Sequence, residues 1–319
     1  MKSLRALQEQ AYGEWEARLG ATDKVLLGLY RGAWAETTNA LSSLYAKAGL
    51  STPTAGQFIK REDAIKYGLL DKRLELINTS IDGLRKKAQR LIADESAQAV
   101  RDGYYRTQWT LECALGKKVA MTAVKKSAIE VSIYAPESGH TFVDRINKHA
   151  ADLAYGAKGS VQKSISAGAS QSAALRELKV TFDQSLTRMS TLMTSEAWRN
   201  FMGGKESASV AASDAGVRMN KQWSHRLGAN KDDREAHIEL DGTLADENGL
   251  FWSNGLSAPE PHMFNDPAED INCTCVVYDV LEDGQAANPE DVLPPISFAD
   301  WAAPRGWTPE GGWPREALQ

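Results

Sequence analysis

Cysteine is scarce in this 319-residue chain, which has only Cys113, Cys273 and Cys275. So small and odd a count cannot build a disulfide framework and suits a reducing compartment. Long apolar runs are missing too. Nothing approaches the ~20 residues that carry a helix across a bilayer, which argues against an integral membrane protein. The opening segment MKSLRALQEQ is polar and charged and lacks the apolar stretch of a secretory signal. Proline is rare through residue 200, where only Pro53 and Pro136 occur. The motifs of several common catalytic sites are also absent. There is no G-x-S-x-G and no H-E-x-x-H, and Gly203-Gly204-Lys205 lacks the flanking residues of a phosphate loop. The carboxylates of DDREAHIELDGTLADE lack the spacing of a calcium loop and read as a solvated acidic face.

Charge, by contrast, is plentiful and unevenly placed. Residues 1–200 hold 29 basic and 21 acidic side chains, a net of +8, whereas residues 201–319 hold 8 and 21, a net of −13. The overall −5 therefore describes neither part.

From Leu4 to about Phe201 the pattern is helical. Leu70, Leu74, Ile77, Ile81, Leu84, Ala88 and Leu91 recur at three- and four-residue steps and line one face of a helix. Further helices are expected over 117–133, 143–165, AALRELKVTF and 184–201, with Gly168 and Gly203-Gly204 as stops and Ser170 or Ser172 as an N-cap. Pattern alone leaves open whether these form a compact bundle or an elongated array. The basic residues Lys72, Arg73, Arg85, Lys86, Lys87, Arg90, Lys117, Lys118, Lys125 and Lys126 are candidates for sequence-independent contact with double-stranded DNA. A dispersed solvated surface is the plainer reading.

Beyond Gly204, Asp, Asn, Gly and Pro become frequent and short strand-like pieces appear at 219–227, 249–252 and 273–281, with a helical turn at 234–240. The expected fold is mainly α: a helical region (1–180), a small α+β module (181–283) and a Pro/Trp-rich tail (284–319). Three tryptophans, Trp301, Trp307 and Trp313, recur in that tail at a spacing of six. Either the tail packs back on its own domain, or it is an extended arm that docks these rings into a partner.

Three of the five histidines and two of the three cysteines fall between residues 225 and 275. On a strand, Cys273 and Cys275 point to one face, and His237 and Asp241 share a face of a helical turn. His237, Cys273 and Cys275 are therefore candidate ligands of a structural zinc ion, with Asp241, His225 or His262 as the fourth. The same cysteines and His237 also suit a metal- or thiol-dependent enzyme, although spacing identifies no third group to orient the histidine.

Taken in order, MTSEAWRNF (193–201), GVRMNKQW (216–223), the D-x-R-x-x-H of Asp232, Arg234 and His237, LDG (240–242), GLFW, APEPHMFNDPAED (258–270) and INCTC (271–275) resemble the MuF-like head morphogenesis family of tailed bacteriophages. The likeness covers about residues 180–281, with Thr274 where the family has arginine. It implies a minor structural head protein with no enzymatic activity, acting in head morphogenesis, DNA packaging or ejection. The phage portal protein would be its partner, with capsid proteins and DNA as further ones. Its location would be the virion head, and the host cytoplasm during assembly. The likeness also favours the zinc site. The alternative is a metal- or thiol-dependent enzyme delivered with the head.

Overall fold

A computed structural model describes residues 3–47, 68–226, 234–282, 296–309 and 311–314. Among these, eight α-helices and two small antiparallel sheets make a mainly α fold with a small α+β part. Helix α1 spans Leu4–Lys47, α2 Leu69–Leu115, α3 Lys126–Tyr134, α4 Phe142–Ser166 and α5 Gln171–Asp214. The chain divides into two compact units, and the division cuts across sequence order. One unit comprises residues 21–91 and 142–192, and the other 1–20, 92–141 and 193–319.

Among the described residues, the 21–91/142–192 unit is built from helices. Its part of α2 buries Leu74, Ile77, Ile81, Leu84 and Ala88 of the stripe expected from sequence, while Leu70 and Leu91 at its ends are half-buried. Helix α4 buries Phe142, Ile146, Ala150, Leu153, Ala157, Val161 and Ile165 at the same three- and four-residue steps. Gly168, at φ +62°, ends α4, and the Ser170 hydroxyl accepts from Ala173 N at 3.3 Å to cap α5.

Two helix boundaries differ from expectation. Residues 117–125 are not helical: Gly116 takes φ +64° and stops α2. Val119 is instead buried with Leu111, Leu115, Ala212 and Val217. Nor does the last long helix stop at Gly203-Gly204, since α5 continues through them to Asp214. Here glycine serves contact between helices, not termination. A Cβ on Gly103 would overlap the carbonyl of Phe201, and one on Gly204 the carbonyl of Val100. Backbone meets backbone where α2 and α5 touch.

In this other unit, strand β1 (Met219–Ser224) pairs antiparallel with β4 (Val276–Leu281), setting Trp223 opposite Val277. Hairpin strands β2 (Phe251–Ser253) and β3 (Leu256–Ala258) join through Asn254-Gly255, both at positive φ (50° and 81°), the geometry of a two-residue hairpin turn. Helices α6 (Glu235–Glu239) and α7 (Pro267–Asp270) complete the α+β part. It is fastened to α5 by a buried ion cluster. Lys205 Nζ lies 3.0 Å from Glu260 Oε1 and 2.9 Å from Asp279 Oδ1, and Gln8 Nε2 donates to Asp279 Oδ2 at 2.8 Å. Burial pushes the Glu260 carboxyl up to about 7 despite the neighbouring Lys205 cation.

The tail forms α8 (Phe298–Ala302) and folds back on its own unit. Trp301 and Trp313 are buried with Leu7, Ala11, Trp109 and Phe298. Their indole N–H groups donate to Glu112 (2.7 Å) and Asp102 (2.9 Å). The extended docking arm is thereby corrected: rings whose polar edges already have partners inside the core are not offered to another subunit. Trp307 packs at the border of the same cluster.

Candidate metal centre

Each donor is placed by a short local device. Cys273 and Cys275 stand just ahead of β4, and alternation turns both thiols to one side. Asn272, at φ 58°, supplies the left-handed bend before them, which an asparagine tolerates well. His237 comes from the single turn of α6. Arg234, at the N-cap of α6, donates to Ala268 O and, at 2.6 Å, to Ile271 O, tying α6 to the α7 segment. Helix α7 is started by Asp266, whose carboxylate accepts from Ala268 N at 2.7 Å, with Pro267 in the first turn.

His237, Cys273 and Cys275 converge, all buried, with their ligand atoms within 4.8 Å of one another. His237 Nδ1 lies 3.5 Å from Cys273 Sγ and 3.7 Å from Cys275 Sγ. Ligand lengths of about 2.3 Å to sulfur and 2.0–2.1 Å to nitrogen in a tetrahedron put N and S roughly 3.6 Å apart. Both separations match. His225 borders the group, its Nδ1 3.4 Å from Cys275 Sγ.

Glu269 stands on the other side of the His237 ring, with Oε2 2.8 Å from Nε2. Ser253 Oγ and Asn254 Nδ2 donate to the same carboxylate at 2.8 and 2.7 Å. A carboxylate only accepts, so Nε2–H faces Glu269, and the ring in its neutral form turns the Nδ1 lone pair toward the sulfurs, as a metal ligand requires. Burial opposes a charge on His237, but hydrogen bonding and charge from Cys273, with Glu269 behind, raise its pKa on balance. A hydrogen bond from Cys275 holds the Cys273 thiol well below the usual thiol range against burial, with His262 and His237 assisting. The Cys275 thiol is pushed up by that same bond. Trp223 stands edge-on to His237 at 5.3 Å, and Phe251 and Phe264 complete an apolar jacket.

The remaining sequence candidates are placed as follows. Asp241 lies outside the donor group: its Oδ1 accepts from His225 N at 2.8 Å and steadies that residue. His262 stacks on Trp198 at 5.5 Å and directs Nδ1 to Asp270 O at 3.2 Å. Asp232 lies outside the described residues. Of the basic candidates, Lys72, Arg73, Arg85, Lys86, Lys87 and Arg90 belong to one compact unit, and Lys117, Lys118, Lys125 and Lys126 to the other. Arg85 and Lys86 both engage Asp82, and Lys126 faces Glu130 at 3.9 Å.

Sequence reasoning missed Glu269, Ser253 and Asn254. The signal for the last two is the Asn-Gly pair between FWS and LSA, a strong hairpin mark. Glu269 carries no such mark, because it meets His237 across 32 residues.

No protein-family model matches the chain, and no solved structure matches it. A curated relative is the NAD(+)–arginine ADP-ribosyltransferase EFV of Enterococcus faecalis, 26% identical over 282 residues. The alignment covers 88% of this chain and 54% of that protein, so the chain spans about half the length of the curated relative it matches. This similarity corrects the expectation of a non-enzymatic structural head protein of the phage virion: the relative is named as an enzyme, and its likeness extends far beyond residues 180–281.

Proposed function

We propose that the chain holds one zinc ion between His237, Cys273, Cys275 and His225, and that this ion fastens its α+β part. So fastened, the chain works in NAD+-dependent ADP-ribosyl transfer to arginine. The observation that carries the metal reading is the donor geometry: two N···S separations of 3.5 and 3.7 Å, with a carboxylate orienting the histidine from behind. Burial of all four donors argues for a structural ion, since a catalytic one keeps a position open to substrate. Burial also weighs against a thiol nucleophile. Cys273, His237 and Glu269 have the order of a nucleophile, base and orienting acid, but residue Cys273 is 6% exposed and residue His237 1%. The α+β part is assigned to the MuF-like type because Arg234, His237, Phe251, Cys273 and Cys275, which carry that motif order, gather in one small fold.

The ADP-ribosyl reading rests on similarity over 88% of the chain, and the metal centre is its fastening, not its reacting group. Two measurements test the two parts separately. Metal analysis of the purified protein is expected to find one zinc per chain, and a metal-free yet fully folded protein would refute the site. Incubation with labelled NAD+ and polyarginine is expected to transfer label. If no label is transferred by this chain, or by any longer protein that contains it, the ADP-ribosyl reading fails.

A further inference from the structure

A cavity of about 280 Å³ lies within the 21–91/142–192 unit, remote in sequence from the metal ligands. Two helix stripes of identical spacing line it. Leu27, Tyr30, Arg31 and Trp34 come from α1, and Lys179, Phe182, Asp183 and Leu186 from α5. Steps of three, one and three put each quartet on one helix face. The floor is aromatic: Trp34 and Phe182 meet edge to face at 5.4 Å, and the buried Tyr30 hydroxyl is bonded to Ser185 Oγ at 2.9 Å. The rim is charged. Arg31 is exposed, and among the described residues no ion pair engages it. Lys179 Nζ holds both oxygens of Asp183, at 2.8 and 2.6 Å.

We propose that this cavity is a mononucleotide site. A flat base stacks on the half-buried Trp34 ring, which every base face permits. Its phosphate is held by the Arg31 guanidinium, which offers a planar fork of donors, and by Lys179. Two of the roughly four acceptor positions of the Asp183 carboxylate face Lys179, and the others accept from the sugar hydroxyls. The three rim charges sum to +1, a net positive rim that attracts a phosphate monoester, whose own charge is about −1.5 to −2 at pH 7. The volume lies at the lower edge of the ~300–1,000 Å³ of small-molecule sites, room for one nucleotide and not for an enclosed dinucleotide. The inference does not depend on ADP-ribosyl transfer, because it needs only a base that carries a phosphate.

The test is isothermal titration of the full chain with AMP, adenosine and inorganic phosphate. AMP is expected to bind saturably with one site per chain, more tightly than adenosine, and phosphate alone is expected not to saturate. Arg31→Gln, on an exposed face, should leave the melting temperature unchanged and weaken AMP by about tenfold, the loss of one charge-assisted contact, while leaving adenosine unaffected. Trp34→Leu should weaken both ligands. No saturable AMP binding at millimolar concentration, or equal AMP affinity in wild type and Arg31→Gln, overturns the site. AMP binding without any ADP-ribosyl transfer would refute the functional reading alone and leave this inference standing.

Discussion

Glu269 holds His237 from behind, its Oε2 2.8 Å from Nε2, while the opposite ring nitrogen faces the sulfurs of Cys273 and Cys275. The carboxylate is itself held by Ser253 and Asn254, so a hairpin turn sets the direction of an imidazole on another element. Orienting groups of this kind typically change metal affinity 10- to 100-fold. Glu269→Ala should therefore weaken zinc by about that factor in a chelator competition, with the helical signal of the protein unchanged. Wild-type affinity in this variant would show that the ring needs no such support.

Removal of the proposed zinc ion should loosen one part of the molecule. The cluster sits among Trp223, Phe251, Phe264 and Val277, in a part whose sheets have only two strands each. So small a core depends on a fastening. Chelation, or Cys273→Ser with Cys275→Ser, should expose the amides of β1 and β4 to hydrogen exchange while those of residues 142–192 stay protected. Unchanged protection in β1 and β4 after metal loss would remove the structural role of the ion.

The fourth ligand can be separated by substitution. His225 Nδ1 stands 3.4 Å from Cys275 Sγ, whereas His262 directs its Nδ1 to the carbonyl of Asp270. His225→Asn should lower zinc affinity at least tenfold and His262→Asn much less, read by the same chelator competition. The reverse order would transfer the fourth position to His262.

Much of this arrangement is legible in the chain itself, and the reasons differ by element. That Cys273 and Cys275 turn to one side follows from alternation ahead of β4, a local rule, whereas the meeting of His237 with them spans 36 and 38 residues and rests on the tertiary fold. The apolar stripes of α2 and α4 are equally local. Glu269 and the fate of Trp301 and Trp313 are not, because each depends on contacts 32 to 211 residues away. Gly203-Gly204 misleads for a similar reason. Locally it reads as a stop, and only the proximity of the Val100 carbonyl explains a helix that runs on through it. The similarity to an ADP-ribosyltransferase, 26% identity over 282 residues, is a comparison between two chains that one sequence does not carry.

The buried Lys205 cluster should be sensitive to imbalance more than to loss. Lys205 is about 3% exposed in its side chain and faces Glu260 and Asp279, both fully buried. Lys205→Met leaves two carboxyl groups without their cation, and breaking a buried pair in this way costs about 3–5 kcal/mol. Replacing all three together, with Glu260→Gln and Asp279→Asn added, should recover most of that loss in urea unfolding. If the triple variant is no more stable than Lys205→Met, the charge balance is not what matters there.

Glycine-to-alanine changes in the long helices should split by sign. In an open helix position alanine is favoured over glycine by about 0.5–1 kcal/mol, because glycine loses more backbone freedom on folding. Gly83 is such a position, with nothing within 4 Å of an added Cβ, so Gly83→Ala should raise the melting temperature slightly. Gly103 and Gly204 are the opposite case, since an added Cβ would overlap the carbonyls of Phe201 and Val100. Backbone cannot swing aside as a flexible side chain does, so α2 and α5 would have to separate along their contact. That separation should outweigh the helix-propensity gain and destabilise by at least the ~1–3 kcal/mol of ordinary overpacking. Thermal melts of the three single variants decide the matter: a Gly204→Ala protein as stable as wild type would mean that α2 and α5 do not meet backbone to backbone.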